Sequence, residues 1–328
     1  MKNYNNFPGS LICDNGYICS SYDLDKDLIK SVGIRPLKDP RIFNYALSKF
    51  EIDIKKTKSI NIINGMGVTL GDSIVGISCL HAMKKMNKEL DIHIIRPKSA
   101  PAMVEDLYKL FSDNIFKSIK YMPQPLERLE DGITIDMGNQ IYRKLFDSIE
   151  MHDYFFESMG LGFIKNSEFK KNHFLNEIAI ESNFNFDGNY VLFAPYASTP
   201  VRSIPDNHHE NLIKHLSNKH KKQVLGFSKL VIPGYKYIGD LVRTTADFIK
   251  SIAFCDFLLT VDSAALHIAS GFDKPCQSIF TTIRPELRTK YYTNCVPIYI
   301  GNNEIDYIHQ TDNPMIIQKI KKAFDEYF

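Results

Sequence analysis

Three short segments hold the residues whose types and spacing could do chemistry. Phe254–Gly271 reads F-C-D-F-L-L-T-V-D-S-A-A-L-H-I-A-S-G, an apolar run that ends on an acid and a hydroxyl and turns at once into a small-residue helix. Such a turn leaves the first helical N–H groups without intrachain partners at the positive end of the macrodipole, and Ala264 and Ala265 keep the approach open. Asp262, Ser263 and those N–H groups are therefore candidates for holding an anion such as phosphate. A plain helix start, with Asp262 or Ser263 as the cap, Gly271 as the C-cap and Pro275 as the stop, fits the same residues. His267 lies one turn further on, within reach of the same ligand. A lone helical histidine is more often half-buried packing, and it is given no catalytic role.

The second segment, Asn64–Ser73, reads N-G-M-G-V-T-L-G-D-S. Gly65, Gly67 and Gly71 do not match the dinucleotide spacing G-x-G-x-x-G, and no G-K-[ST] is present, so neither a NAD nor an ATP site is expected. The turn offers a backbone that can approach a ligand closely and ends on Asp72 at a helix start. A carboxylate there can accept a proton from a hydroxyl, or serve only as a cap. The third segment, Ala194–Pro205, reads A-P-Y-A-S-T-P-V-R-S-I-P. Ser198 and Thr199 present hydroxyls, and Arg202 adds a planar cation suited to phosphate oxygens, in either a diphosphate clamp or an ordinary surface loop. After the strand ending at Phe280, the run Thr281–Arg288 supplies a further hydroxyl-rich, basic loop with Thr282 and Arg284. No His/Cys/Asp set has metal spacing and no G-x-S-x-G elbow occurs. The acids Asp23, Asp25 and Asp27 form D-x-D pairs, but they fall outside the α/β pattern and are expected to be solvated.

Composition narrows the class. The chain has 328 residues, 44% of them apolar, enough for two medium cores. A formal net charge of +2 is too mild for a duplex-binding face, and Lys55, Lys56, Lys58 and Lys219, His220, Lys221, Lys222 read as solvated surface. Six cysteines lack any C-x-x-C pair and are expected to be reduced and buried. No apolar run approaches the roughly 18 residues of a membrane span, and Met1–Ser20 lacks a signal-peptide pattern, which predicts a cytoplasmic protein.

The elements that must position these segments alternate in type. Residues 1–58 have few strand-like runs and an amphipathic stretch near Arg41–Phe50, and they read as an extension onto a first domain. From Ser59 the pattern predicts strand 60–63, helix 73–86 with Val75, Cys79, Met83 and Met86 on one face, and strand 92–95. Helix 103–111, strand 133–135 and a helical stretch 140–159 follow. The polar segment 165–189 reads as the crossing into a second domain, giving an extension at 1–58 and domains at 59–180 and 181–328. Strands 190–194, 223–227, 257–261 and 276–280 alternate with helices 207–218, 246–253 and 263–270, and Asn313-Pro314 opens a final helix. The fold class is α/β, with two parallel sheets covered by helices and ligands at the carboxyl ends of the strands.

Taken together the three segments resemble the bacterial heptosyltransferases, glycosyltransferase family 9, over about Ser59–Ile300. The resemblance rests on Leu70-Gly71-Asp72-Ser73-Ile74, on Arg202-Ser203-Ile204-Pro205, and above all on Val261-Asp262-Ser263 with His267-Ile268-Ala269 and Pro275. Asp136–Leu161 is similar to the family's stretch before the interdomain linker. The resemblance implies a GT-B architecture, two Rossmann-like domains facing across a cleft, the first binding acceptor and the second nucleotide sugar. Asp72 would be the general base. Ser198, Thr199 and Arg202 would hold the donor diphosphate, Asp262 through Ala265 with His267, Thr282 and Arg284 would complete the donor side, and Gly65, Gly67, Gly71 and Asp136 would shape the acceptor loops. The implied activity is inverting, metal-independent transfer from a nucleotide diphosphate-sugar, ADP-heptose among the candidates, to a hydroxyl of a saccharide or other acceptor, with no separate cofactor. The sequence departs from the family at Ala264-Ala265, where Gly and Pro are frequent, at Phe280-Thr281, where Phe-Gly is, and in having no tryptophan. Two alternatives stay open: a GT-B enzyme that modifies hydroxylated bases in DNA, and an inactive GT-B binding subunit.

Overall fold

The computed structural model describes residues 6–24, 33–177, 179–182, 184–186, 188–308 and 311–328. The chain divides into two compact units, Met1–Lys170 and Lys171–Phe328.

The first unit is built on a five-stranded sheet of β1 (Ile42–Phe43), β2 (Ser59–Ile63), β3 (Asp91–Arg96), β4 (Ser118–Tyr121) and β5 (Ile133–Asp136). Its order is β1-β5-β2-β3-β4, and every pairing is parallel. Parallel strands are covered on both faces, which is why β2 and β3 read as near-continuous isoleucine runs. Ile60, Ile62, Ile63, Ile92, Ile94 and Ile95 are all buried. Helix α1 (Leu70–Met86) follows β2 and is buried from Ser73 to Leu80 without a break, a wider footprint than the single expected face. Met86, expected on that face, is half-buried. Helices α2 (Ala102–Leu110) and α3 (Met151–Ser158) pack against α1. The helix expected over 140–159 is instead a 3-10 turn at Gln140–Tyr142 followed later by α3. Asn139 is left-handed and Arg143 extended, with the Arg143 guanidinium turned back onto the carbonyls of Gly138 (2.9 Å) and Asp136 (2.7 Å). The segment therefore wraps the end of β5 before Glu150 restarts a helix by accepting from the N–H groups of His152 and Asp153.

The N-terminal residues hold more strand than expected. Leu11–Cys13 and Tyr17–Cys19 form a hairpin with Ile12 opposite Ile18, extended by Ile34–Pro36 on one side and Gln124–Pro125 on the other. Three-residue strands are too short for alternation to be visible in sequence. The stretch Arg41–Phe50 contributes only β1, beside β5, and then turns.

In the second unit β6 (Tyr190–Ala194), β7 (Gln223–Gly226), β8 (Tyr235–Tyr237), β9 (Phe257–Val261), β10 (Cys276–Phe280) and β11 (Cys295–Tyr299) form one parallel sheet ordered β8-β7-β6-β9-β10-β11. The strand order reverses between β6 and β9, as it does between β2 and β5 in the first unit. Open α/β sheets bind ligands outside the carboxyl ends of the strands at such a reversal. Helices α4 (Asp206–His220), α5 (Thr245–Ala253), α6 (Ala264–Gly271), α7 (Glu286–Thr289) and α8 (Pro314–Tyr327) complete the unit. Val191, Phe193, Val224, Leu259 and Ile279 meet Leu212, Ile213 and Leu216 of α4 and Ile320 and Phe324 of α8 in one core. Thr244 and Asp247 form a capping box on α5, and Asn313 caps α8 through Met315 N–H at 2.9 Å. The stretch Lys171–Asn176 belongs here because Asn172 donates to the carbonyl of His267 (3.1 Å) and Asn176 to that of Gly271 (2.6 Å). The division thus falls between Lys170 and Lys171, ahead of the expected boundary at 180/181.

Among the described residues no helix is long and apolar enough to cross a membrane. The cysteines are free and all but the half-buried Cys295 are buried, and the lysine clusters are largely exposed.

Candidate active site

Each unit places its candidate residues at the reversal of its sheet. In the second unit the turn after β6 folds on itself. Ile204 N–H donates to the Pro195 carbonyl (2.9 Å), Ala197 N–H to Ser203 Oγ (2.9 Å), and Pro200–Arg202 forms a 3-10 turn. This fixes Arg202, whose Nη1 donates to Asp262 Oδ2 at 3.0 Å and to the Asp262 carbonyl at 3.4 Å. Its Nη2 donates to Ser198 Oγ at 2.5 Å and its Nε to Thr199 Oγ1 at 3.3 Å. Ser198, Thr199, Arg202 and Asp262 are thus one connected set that joins the ends of β6 and β9.

Asp262 is 4% exposed and sits before the helix; the cap position of α6 belongs to Ser263. Ser263 makes no side-chain hydrogen bond to the helix and turns instead to Thr260 Oγ1 at 3.2 Å, so the α6 terminus is presented without a side-chain cap. Burial alone would push the Asp262 carboxyl up. The guanidinium groups of Arg202 and Arg288 and the His267 ring outweigh it and hold the carboxyl below its ordinary range. Arg288 is the residue that sequence reasoning passed over in favour of Arg284. Its Nε lies 3.9 Å from Asp262 Oδ1 and its side chain is buried. The difference comes from α7, which turns Arg288 inward, whereas Arg284 is held by Asp306 (3.0 Å) and Asn303 (3.1 Å) and lies over the Tyr299 ring. Arg284 braces the 302–307 loop in this structure. Thr282 is fully buried with no partner for its hydroxyl among the described residues, and Thr281 donates to the Val201 carbonyl at 2.6 Å. His267 is oriented through its other side: its Nδ1 meets Tyr292 Oη at 2.7 Å, and Tyr292 Oη accepts from Asn172 at 2.9 Å.

In the first unit the turn after β2 reaches the same end of its sheet. Asn64, Gly65 and Gly67 have φ of 72°, 62° and 102°, and a Cβ on Gly67 would come 2.5 Å from Asp72 Cβ. Only glycine allows both that backbone and that approach. Asp72 is half-buried at the third position of α1, whose cap is Thr69, so it is not itself the N-cap. Two donors that sequence reasoning missed lie close by. Gln140 Oε1 is 3.4 Å from where the Gly67 Cβ would be, its Nε2 has no hydrogen-bond partner among the described residues, and neither has Arg143 Nη1. Neither residue has a spacing signal, because both lie in irregular backbone.

Asp136 has a different role from the acceptor loop expected of it. It is 1% exposed and accepts from Ser10 N–H (2.8 Å), Ser10 Oγ (2.6 Å), Asn44 Nδ2 (3.2 Å) and Gly138 N–H (2.8 Å). Both oxygens are occupied by the N-terminal segment. Replacing Asp136 with Ala should destabilise the protein by about 3 kcal/mol, because buried donors to a charged acceptor lose their partner; urea unfolding measures this, and a loss below about 1 kcal/mol would count against the role. Asp23 likewise is not solvated: it is buried and accepts from Lys98 N–H, Ser99 N–H and Ser99 Oγ in the turn after β3. Asp25 and Asp27 lie outside the described residues. Among the described residues no group of three or more His, Cys, Asp or Glu is arranged to hold a metal.

No protein-family profile matches the chain, and no curated protein matches its sequence. Solved structures do match. The dodecameric iron-containing glycosyltransferase TibC of enterotoxigenic E. coli H10407 superposes with a TM-score of 0.55 at 11% identity, over 84% of this chain and 77% of that one. A glycosyltransferase family 9 protein of Veillonella parvula gives 0.50 at 11% identity, over 84% of this chain and 98% of that one. The fold is GT-B, as in glycosyltransferase family 9. TibC in complex with ADP-D-β-D-heptose superposes with a TM-score of 0.53, again at 11% identity. Within this GT-B chain the extension, the β1 edge and the hairpin belong to the first unit, and the Arg202–Asp262 set to the second.

Proposed function

We propose that the protein is an inverting glycosyltransferase that moves a sugar from a nucleotide diphosphate-sugar to a hydroxyl, without a metal. The observation that carries this reading is the Arg202–Asp262 pair at the strand reversal of the second sheet, beside the uncapped terminus of α6. A diphosphate is the ligand that such a cation and such N–H groups suit. The fold shared with TibC, which binds ADP-D-β-D-heptose, supports a nucleotide-sugar donor and makes ADP-heptose the first candidate.

The chemistry follows from these groups. Asp72 accepts the proton of the acceptor hydroxyl as its oxygen attacks the anomeric carbon. The bond from that carbon to the diphosphate oxygen breaks on the opposite face, which inverts the centre. The negative charge gathers on the departing nucleoside diphosphate, where Arg202, Arg288, Ser198, Thr199 and the N–H groups of α6 stabilise it. Gln140 and Arg143 have donors to spare for the acceptor near Asp72. A saccharide is the proposed acceptor, and the mild net charge disfavours DNA.

Thermal unfolding against ADP-, UDP-, GDP- and CMP-sugars, with and without divalent metal, tests the proposal. A donor at a hundredfold excess over its Kd stabilises by about 2.7 kcal/mol. A metal-independent shift with one nucleotide class is expected, and selective response to ADP-sugars would favour heptose. No shift with any donor would overturn the enzyme reading in favour of a binding subunit.

A further inference from the structure

A chain of buried hydrogen bonds beside the Arg202–Asp262 pair ends on one imidazole. His267 lies on α6 one turn beyond Ser263, and its Nδ1 meets Tyr292 Oη at 2.7 Å, the two rings packing edge to face with centroids 5.8 Å apart. Asn172 completes the chain, with Nδ2 donating to Tyr292 Oη at 2.9 Å and to the His267 carbonyl at 3.1 Å. None of the three residues is more than 4% exposed. Asn172 is held close by its backbone: it is left-handed with φ of 57°, and a Cβ on Gly271 would come 2.7 Å from its carbonyl oxygen, so the segment lies directly against α6. The stretch Arg288–Tyr292 thus brings two side chains to this end of the sheet, one to the Asp262 carboxyl and one to the imidazole.

The directions of these bonds place a proton. A backbone carbonyl only accepts, so the Asn172 atom that faces the His267 carbonyl is the amide nitrogen, and the second proton of the same amide goes to Tyr292 Oη. A hydroxyl that accepts from Asn172 has one proton of its own to give, and Nδ1 stands 2.7 Å away. An imidazole that accepts at Nδ1 is neutral and carries its proton on Nε2. His267 also helps to hold the Asp262 carboxyl below its ordinary range, which puts the ring within electrostatic reach of the proposed diphosphate site. A free imidazole exchanges its proton between the two nitrogens, whereas a ring held from one side donates from a fixed place and needs no reorganisation when charge develops.

We infer that Tyr292, its hydroxyl turned by Asn172, is a positioning residue that locks His267 as the neutral Nε2–H tautomer, so that Nε2–H donates to the donor diphosphate. The diphosphate rests on the transferase reading, while the tautomer rests on the hydrogen bonds alone.

Long-range proton–nitrogen NMR of the full-length protein labelled with nitrogen-15 histidine, near neutral pH, reads the tautomer in the wild type. His267→Gln identifies which of the ten histidine signals belongs to the ring. The wild-type ring is expected to show a single neutral Nε2–H form, and Tyr292→Phe, which keeps the aromatic ring, to show exchange between the two tautomers. An Nδ1–H or doubly protonated ring in the wild type, or an unchanged pattern in Tyr292→Phe, would overturn the inference. Calorimetric titration with pyrophosphate and with ADP, UDP, GDP and CDP follows on the same samples. The tightest of these is expected to bind roughly three- to tenfold more weakly to Tyr292→Phe, which is what one neutral hydrogen bond is worth. Adding Tyr292→Phe to His267→Gln is expected to lower affinity no further, because the relay then has no ring to hold. A further loss in the double variant would make Tyr292 a packing residue and overturn its positioning role. Wild-type binding that Tyr292→Phe leaves unchanged would overturn this inference and spare the transferase proposal, whereas no binding of any probe to the wild type would sink that proposal and the diphosphate role with it.

Discussion

Replacing Asp72 with Asn is expected to lower turnover by roughly 10²–10⁴-fold, the range that a positioned general base supplies. Donor affinity should stay within about twofold, because Arg202, Asp262 and α6 all belong to the other unit. Stability should fall by less than about 1 kcal/mol. At the third position of α1 the carboxylate interacts favourably with the macrodipole, but an amide keeps the shape and the Thr69 cap is untouched. Steady-state kinetics with isothermal titration of the donor separates these effects. A variant that lost donor binding and turnover by the same factor would be reporting a disturbed fold, and Asp72 would lose its role as base. The Gly67 contact gives the prediction its geometric basis, since the side chain of residue 72 is confined by a turn that leaves no room for any Cβ at residue 67.

Arg202→Met should lower turnover by about 10²–10³-fold, the effect of removing one preorganised donor from a developing charge. Unlike the Asp72 change, it should also weaken the fold, by about 3 kcal/mol, because a buried Asp262 is left with Arg288 at 3.9 Å and the field of the His267 ring. The double change Arg202→Met with Asp262→Asn should recover most of the stability and none of the activity. If the double variant were no more stable than the single one, the pair would not be the buried, coupled unit that its geometry indicates. The pair also sets an acid limb. Arg202 and Arg288 hold the Asp262 carboxyl below its unfolded value of about 3.9, so its contribution is fully present above about pH 4 and is lost as pH falls through the folded value. Urea midpoints measured between pH 3 and pH 7 should therefore decline at the acid end for the wild type. In Arg202→Met that decline should be smaller, since one of the two guanidinium groups that hold the folded carboxyl below its unfolded value has gone.

The parts of the molecule that were legible in sequence are those with long periodic signals or with a cap. Strands 190–194, 257–261 and 276–280 fall where their apolar runs place them, because both faces of a parallel strand are covered and the run is unbroken. Helix α8 starts where Asn313 and Pro314 set it, since an N-cap and a fixed φ are local effects. The hairpin at 11–19, the edge strand 42–43 and strand 235–237 escaped because two or three residues cannot display a period. The break in 140–159 escaped because its cause is a side-chain bond that no period displays: Arg143 turns back onto the carbonyls of Asp136 and Gly138 at the end of the strand just before it.

The site divides in the same way. By itself the sequence determined which turns could carry chemistry, because an acid or hydroxyl after an apolar run marks the carboxyl end of a strand wherever that strand lies in the sheet. It put Asp72, Arg202 and Asp262 on such turns. Only the tertiary structure decided what each side chain meets. Sheet order β8-β7-β6-β9 sets the turns after β6 and β9 side by side, so that Arg202 and Asp262, 60 residues apart, pair directly. The inward turn of α7 set Arg288 beside Asp262 while Arg284 bonds Asp306, Tyr292 took the Nδ1 of His267, and the N-terminal segment bonds both oxygens of Asp136. Residue type and chain neighbours fix the chemistry a turn can offer, whereas the pairing of side chains depends on strand order and helix packing, which are non-local.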